Sequence, residues 1–352
     1  MLVINDLHIG VNRTGGTTPQ SQAALRDYLR NGLETMLETA GHDVIVNGDL
    51  FDSFSVDVSE VVSTARIFAN WLDNGYKNNL HLIAGNHDWS PRGDKMSSFH
   101  LLAYMLSLPT HNEDWGSVQV YDSGFQRVEP GIYCIPHMPN QGMFDYEVIK
   151  ACEYGGHEGR HLLLHCNYKN AFTENSDHSL NLNDDQVNML IKAGYTLVFG
   201  HEHVGRVIRS GKVVIVGNQY PSSVIDCIGD DRKQCLRIKG GLLHLEHTWS
   251  AYENYAEVDW KDLKVSDKYK FIRVTGEASA AEAADVIKAV SKLRQSHEAF
   301  VITNAVKIEG CDLSDELASS VEDIKVFDVV GAIMGELTEQ EQGVVKGLLN
   351  AE

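Results

Sequence analysis

Five short clusters of carboxylate, imidazole and carboxamide side chains lie in the first two thirds of the chain, each directly after a run of β-forming apolar residues. They read Asp6-Leu7-His8, Gly48-Asp49-Leu50-Phe51-Asp52, Gly85-Asn86-His87-Asp88, a lone His165, and Gly200-His201-Glu202-His203. The runs before them are Leu2 to Ile4, Val44 to Val46, Leu80 to Ile83, Leu162 to Leu164 and Leu197 to Phe199. Side chains just past the carboxyl ends of strands in an open α/β sheet converge on one crevice, so ligands far apart in the chain can meet there. Two divalent ions held close together need a bridging carboxylate and a mixture of nitrogen and oxygen donors. Asp6, His8, Asp49, Asn86, His165, His201 and His203 supply that mixture. It suits manganese, iron or zinc better than calcium. Manganese leads the candidates for the two divalent ions, with Fe2+, Zn2+ and Mg2+ as the others. A single D-x-H pair is a weak signal; five clusters in order, each at a strand end, are a strong one.

The elements that must position these residues alternate between strand and helix patterns from Met1 to about Thr248, as βαβ units do, with hairpin-like strands late in that stretch. Apolar residues at three- and four-residue spacing predict helices near Ser21 to Thr39, Val56 to Asn74, Lys95 to Ser107 and Asp184 to Ala193. Asn183, ahead of Asp184 and Asp185, reads as the N-cap of the last of these. The pattern turns polar and aromatic around Trp249 to Asp267. A second β-α-β run then follows: Tyr269 to Val274, Ala280 to Leu293 and Phe300 to Ile308. Past Asp328 the spacing of Val329, Val330, Ile333, Met334 and Leu337, then Val344, Val345, Leu348 and Leu349, predicts two short amphipathic helices. Thr338 and Glu341 form a capping box between them.

Composition limits the function. The chain has 352 residues, 43% of them hydrophobic, which is ordinary for one large domain plus a smaller one. Neither a cleaved leader nor an apolar run near the roughly 18 residues of a membrane span is visible, so a cytoplasmic location is the expectation. Six scattered cysteines without a C-x-x-C pair read as reduced thiols. The formal charge of −19 argues against a broad basic face for nucleic acid. Residues 277–352 carry 15 acidic against 6 basic side chains, a better surface for protein than for DNA.

The succession D-x-H, G-D-x-x-D, G-N-H-D, H, G-H-x-H resembles that of the calcineurin-like metallophosphoesterases. The resemblance implies a two-sheet α/β sandwich flanked by helices. It also implies that Asp6, His8, Asp49 and His203 hold one ion and Asp49, Asn86, His165 and His201 the other, with Asp49 as the bridge. A hydroxide generated there would attack phosphorus while His87, oriented by Asp52, protonates the leaving oxygen. The G-D-L-F-D form of the second motif, the G-N-H-D third motif and the missing phosphatase arginine are similar to the SbcD branch, bacterial and phage members in particular. That branch implies a manganese-dependent DNA nuclease acting as a double-strand exonuclease with some single-strand endonuclease activity. It pairs with an SbcC-type coiled-coil ATPase in DNA repair and recombination, and forms a homodimer through helices equivalent to 56–74 and 95–107. Its layout would make 1–250 the catalytic domain, 268–310 a small α/β capping domain and 328–352 a helical segment docking on the ATPase.

The fourth cluster lacks the Gly-His form common in the family. Gly217-Asn218-Gln219-Tyr220-Pro221-Ser222-Ser223 stands where relatives have a Gly-Ser or Gly-Thr turn, which makes Asn218 a candidate substrate contact beside a structural reading that has at least equal weight. His137 is a second candidate contact, because relatives carry a polar or aromatic residue near the cleft there. The remaining histidines read as surface or satisfied core residues. Two other functions compete with the nuclease: a small-molecule or cyclic-nucleotide phosphodiesterase on the same metals, and a non-catalytic DNA-repair scaffold subunit with the acidic tail as its working surface.

Overall fold

The computed structural model describes residues 1–309, apart from 13–14, 75, 90–94, 109–114, 156–158, 169–179 and 229–231. The expected helical segment at 328–352 lies outside the described residues. In chain order the first strands are β1 (Leu2–Ile4), β2 (Asp43–Asn47), β3 (Asn79–Ile83), β4 (Ser117–Tyr121), β5 (Gln126–Glu129), β6 (Ile132–Ile135), β7 (Arg160–His165), β8 (Asn167–Tyr168) and β9 (Asn181–Leu182). After them come β10 (Tyr195–Gly200), β11 (Arg206–Ile208), β12 (Val213–Ile215), β13 (Arg232–Lys239) and β14 (Leu242–Ser250). Two six-stranded sheets result, ordered β14-β13-β1-β2-β3-β4 and β11-β12-β10-β7-β6-β5.

Side-chain alternation along the strands decides what lies between the sheets and what lies outside them. Val3, Ile45 and Ile83 of the first sheet face Leu163, Val198 and Val214 of the second in one buried layer. Their neighbours Leu2, Ile4, Val44 and Val46 point the other way, under helices α1 (Pro19–Thr39), α2 (Val58–Leu72) and α3 (Ser98–Ser107). On the outside of the second sheet, Leu162, Leu164, Leu197 and Phe199 pack beneath α4 (Gln141–Tyr154) and α5 (Asp184–Lys192). The fold is therefore the two-sheet α/β sandwich with helical flanks. The run β1-β2-β3 and the run β6-β7-β10 are each parallel, so their carboxyl ends lie together.

Helix boundaries follow local chemistry. Thr18 caps α1 in a reciprocal box with Ser21, and Pro19 occupies the first turn, where its missing N–H costs nothing. Asn183 caps α5 in the same way with Gln186, ahead of Asp184 and Asp185. Helix α4 has no counterpart among the sequence expectations. Its buried stripe of Phe144, Val148 and Ala151 is blurred by Met143, Tyr146 and Ile149, which are apolar but exposed.

Beyond β14 a short helix α6 (Ala251–Asn254) leads to a second, smaller sheet, β15 (Tyr255–Asp259), β16 (Phe271–Thr275) and β18 (Val301–Asn304), all parallel. Helix α7 (Ala283–Ser296) covers it, burying Val286, Val290 and Leu293 against Ile272, Val274 and Ile302. Strands β17 (Glu277–Ala278) and β19 (Lys307–Ile308) form a separate two-residue ladder beside it. The sheet takes its edge strand from within the polar Trp249 to Asp267 stretch, earlier than the sequence pattern suggests. Phe271 and Val301 of this unit pack against Leu25 and Leu29 of α1 and against Val224, Cys227 and Trp249.

Candidate metal centre

The clusters sit at the carboxyl ends of β1, β2, β3, β7 and β10, where the chain leaves each strand. The turns there are sharp, and Asp6, His8, Asp49 and His201 adopt left-handed backbone conformations with φ of 49°, 50°, 47° and 78°. Such values are uncommon outside glycine, although Asp and His tolerate them better than most. Four of the seven non-glycine residues described with positive φ are thus proposed ligands, which places the fold's backbone strain at this site. The motif glycines have a second reason to be there. A Cβ on Gly48 would run into the ring of His165, and one on Gly85 would run into Asp49.

What these turns bring together is a tight set of donor atoms. His8 Nε2 lies 2.9 Å from His203 Nε2. His165 Nε2 lies 3.0 Å from Asn86 Oδ1 and 3.2 Å from Asp49 Oδ2, and His201 Nδ1 lies 2.8 Å from the same Asn86 oxygen. The backbone N–H of His201 donates to both oxygens of Asp6, at 2.9 and 3.0 Å. Asp6, His8 and His203 form one group, Asp49, His165 and His201 another, and Asp49 also joins His8 and His87; within each group the ligand atoms lie within 4.8 Å of one another. Asp49 is therefore placed where a bridge would have to be.

Hydrogen bonding on the far side of the rings supplies the test of fit. His165 donates its Nδ1–H to the carbonyl of Asn47 at 3.0 Å, and His203 donates its Nδ1–H to Asp226 Oδ1 at 2.7 Å. Both rings thereby direct Nε2 at the centre, as metal-ligating histidines do. Asp52 Oδ1 stands 3.4 Å from Nδ1 of His8, and the Nε2 atoms of His8 and His203 meet at 2.9 Å. Donors about 3 Å apart are what an ion bound at roughly 2.0–2.2 Å gathers around itself. The residues fit a pair of divalent cations.

Electrostatics agree. Burial opposes a charge on Asp49, but the facing His165 and His87 rings hold its carboxyl well below the usual carboxylate range. Burial also opposes a charge on His165, yet Asp49 and then Asp6 outweigh it and push the imidazole up to about 9. Burial and the neighbouring His165 drop His201 to about 3. Burial and the nearby Asp49 push Asp88 up to about 7. Without an ion the centre thus draws a proton onto His165, in the position a cation would neutralise.

The remaining predicted site residues are placed as follows. His87 leans over the centre, its backbone N–H donating to Asp49 Oδ1 at 3.0 Å and its Nε2 3.8 Å from Asp49 Oδ2. Its side chain is 38% exposed, against 28% for His203, 4% for His8 and 0% for His165, so it faces the mouth. Asp52, expected to orient His87, stands against His8. His137 is buried and its N–H bonds to the carbonyl of Ala84 at 2.9 Å, directly before the third motif. Asn218, read as a substrate contact, is fully buried, and its N–H donates to the carbonyl of His203 at 3.3 Å. In the same turn Gln219 Oε1 accepts from the N–H of Asn5 at 2.5 Å.

Three residues of the site carry no motif. Asn5 reaches across the sandwich to the carbonyl of Phe199 at 3.1 Å, Asn47 supplies the carbonyl that holds His165, and Asp226 holds His203. Asn5 and Asn47 immediately precede motifs, and polar residues at strand ends are their visible signal. Asp226 has none.

A sandwich of this topology with two sets of histidine, carboxylate and carboxamide donors around one shared aspartate is the scaffold of a metal-dependent phosphoesterase. The family model described as calcineurin-like phosphoesterase matches residues 1–205, which include all five clusters, and the chain belongs to that family. It is accordingly a hydrolase of phosphoesters that binds divalent metals. No curated protein matches the chain.

Because His165 holds a proton at neutral pH and must lose it to bind an ion, metal loading at the Asp49-Asn86-His165-His201 side should release a proton. Affinity there should weaken by about tenfold per unit, or about 100-fold from pH 8 to pH 6. Manganese titrations followed by calorimetry would read this directly, and an affinity unchanged across that range would contradict it.

Proposed function

We propose that the protein is a two-metal DNA nuclease, a double-strand exonuclease with some single-strand endonuclease activity, that works with an SbcC-type ATPase in DNA end processing. What favours a polymer over a small ester is the additional α/β unit, whose Phe271 and Val301 pack with Val11 and Cys227. The N–H of Ile302 on β18 donates to the carbonyl of Gly16 at 2.8 Å, in the segment that follows the first motif. A small-molecule or cyclic-nucleotide phosphodiesterase has no need of such a unit, and a scaffold subunit has no need of the full donor set.

When bound, two divalent ions would supply a nucleophile at neutral pH and neutralise charge on the phosphoryl oxygens. Asp6, His8 and His203 would hold one, Asn86, His165 and His201 the other, and Asp49 both. His87, half-exposed above Asp49, delivers the proton that the leaving oxygen takes as its bond to phosphorus breaks. His137 lines the cleft side of the third motif. A net charge of −19 makes the bound cations and local contacts carry the attraction for DNA, with the ATPase contributing the rest. Exposed Val58 and Val62 on α2, Met96, and Tyr104 and Leu108 on and after α3 lie on the helices through which we propose the chain dimerises. Residues 328–352 are the proposed ATPase-docking segment.

Two experiments test this reading. With manganese and linear duplex DNA, wild type should release nucleotides, more so with an SbcC-type partner. Asp49→Asn should be inactive, while His87→Ala should keep its metal and lose about 10²- to 10⁴-fold in turnover. Cleavage of small phosphodiesters with no action on DNA would contradict the nuclease. In sedimentation, Val62→Glu combined with Tyr104→Glu should convert a dimer to a monomer; a wild type that sediments as a monomer removes the dimer proposal.

A further inference from the structure

Asp226 lies in a tight turn, Ser222 to Cys227, and is itself part of none of the motifs. Its carboxylate is buried and fully engaged. Oδ1 accepts the Nδ1–H of His203 at 2.7 Å. Oδ2 accepts from the N–H of Ser222 at 2.7 Å, the hydroxyl of Ser222 at 3.0 Å and the N–H of Ser223 at 3.0 Å. The turn is closed from within, because the N–H of Asp226 donates to Oγ of Ser223 at 3.2 Å. It is also wedged from behind: Val224 and Cys227 pack among Leu25, Leu29, Trp249 and Phe271. The backbone of His203 is held independently. Its carbonyl accepts from Nζ of Lys233 at 2.8 Å, and that lysine is itself buried.

We propose that Asp226 is a positioning residue that fixes the tautomer and ring orientation of His203, so that its Nε2 lone pair stays aimed at the site shared with Asp6 and His8. The assignment rests on the metal-centre reading of His203. Four donors converge on this carboxylate, and the two backbone N–H groups among them can only donate. Three are the fixed N–H groups and hydroxyl around Oδ2. An asparagine in the same place would keep its oxygen on those three donors and turn its NH₂ toward His203. That group would demand an acceptor at Nδ1, moving the ring proton to Nε2, where it blocks an ion. The same logic makes replacing a histidine-orienting aspartate by asparagine damaging in hydrolase triads. Alanine removes the preference without imposing the wrong one. Orienting carboxylates of this kind are worth about 10- to 100-fold in metal affinity.

The test is manganese binding to wild type, Asp226→Asn and Asp226→Ala, with the unfolding temperature of each and the ¹⁵N-histidine spectrum of the metal-free proteins at alkaline pH. Wild type should take two ions. Asp226→Asn should lose about 10- to 100-fold at one of them and hold the other unchanged. It should be at least as impaired as Asp226→Ala, and its His203 should appear as the Nε2–H form in place of Nδ1–H. An asparagine variant that binds like wild type, that is milder than alanine, or that weakens both sites equally together with a lowered unfolding temperature would overturn the proposal. A wild type that fails to take two ions would overturn the metal-centre reading itself, and is told apart because no variant is then involved.

Discussion

The contact between Asp49 Oδ2 and His165 Nε2, 3.2 Å across the sandwich, is the constraint on which the rest of the structure depends. Asp49 ends a strand of the first sheet and His165 ends a strand of the second, so the two sheets must meet at their carboxyl ends to make it. Gly48 and Gly85 are small because a side chain there would separate the pair. Asn5 and Asn47 tie the same ends together, the first through the carbonyl of Phe199 and the second through His165 itself. The interior layer of Val3, Ile45, Ile83, Leu163 and Val198 sets the spacing behind them. Apolar burial thus positions a cluster of buried donors that polar chemistry alone would not hold together.

The energetic consequence is a site that is unfavourable by itself. Left-handed turns at Asp6, His8, Asp49 and His201 and two buried carboxylates all cost free energy. Bound cations offset this, which is how a fold can be strained where it works and well packed elsewhere. The arrangement also answers the puzzle of an acidic chain acting on phosphoesters, since positive charge is concentrated at the reaction centre instead of spread over a surface.

Much of this was legible in the sequence because each ligand cluster is local and follows a strand run that is equally local. The sandwich, the four earlier helices and the Asn183 cap are of that kind. Other features depend on tertiary placement. Asp226 approaches His203 from 23 residues away through a turn with no recognisable spacing, so only the fold could show it. Helix α4 was hidden by exposed Met143, Tyr146 and Ile149, which fill the polar side of its periodicity. Asp52, expected to orient His87, also comes within 3.4 Å of His8, a contact its motif does not foretell.

The central claim is that two ions share Asp49. Anomalous scattering from crystals grown with manganese tests it most directly. The account predicts two peaks flanking the Asp49 carboxylate, one among Asp6, His8 and His203 and the other among Asn86, His165 and His201. A single peak, or ions bound away from Asp49, would contradict it.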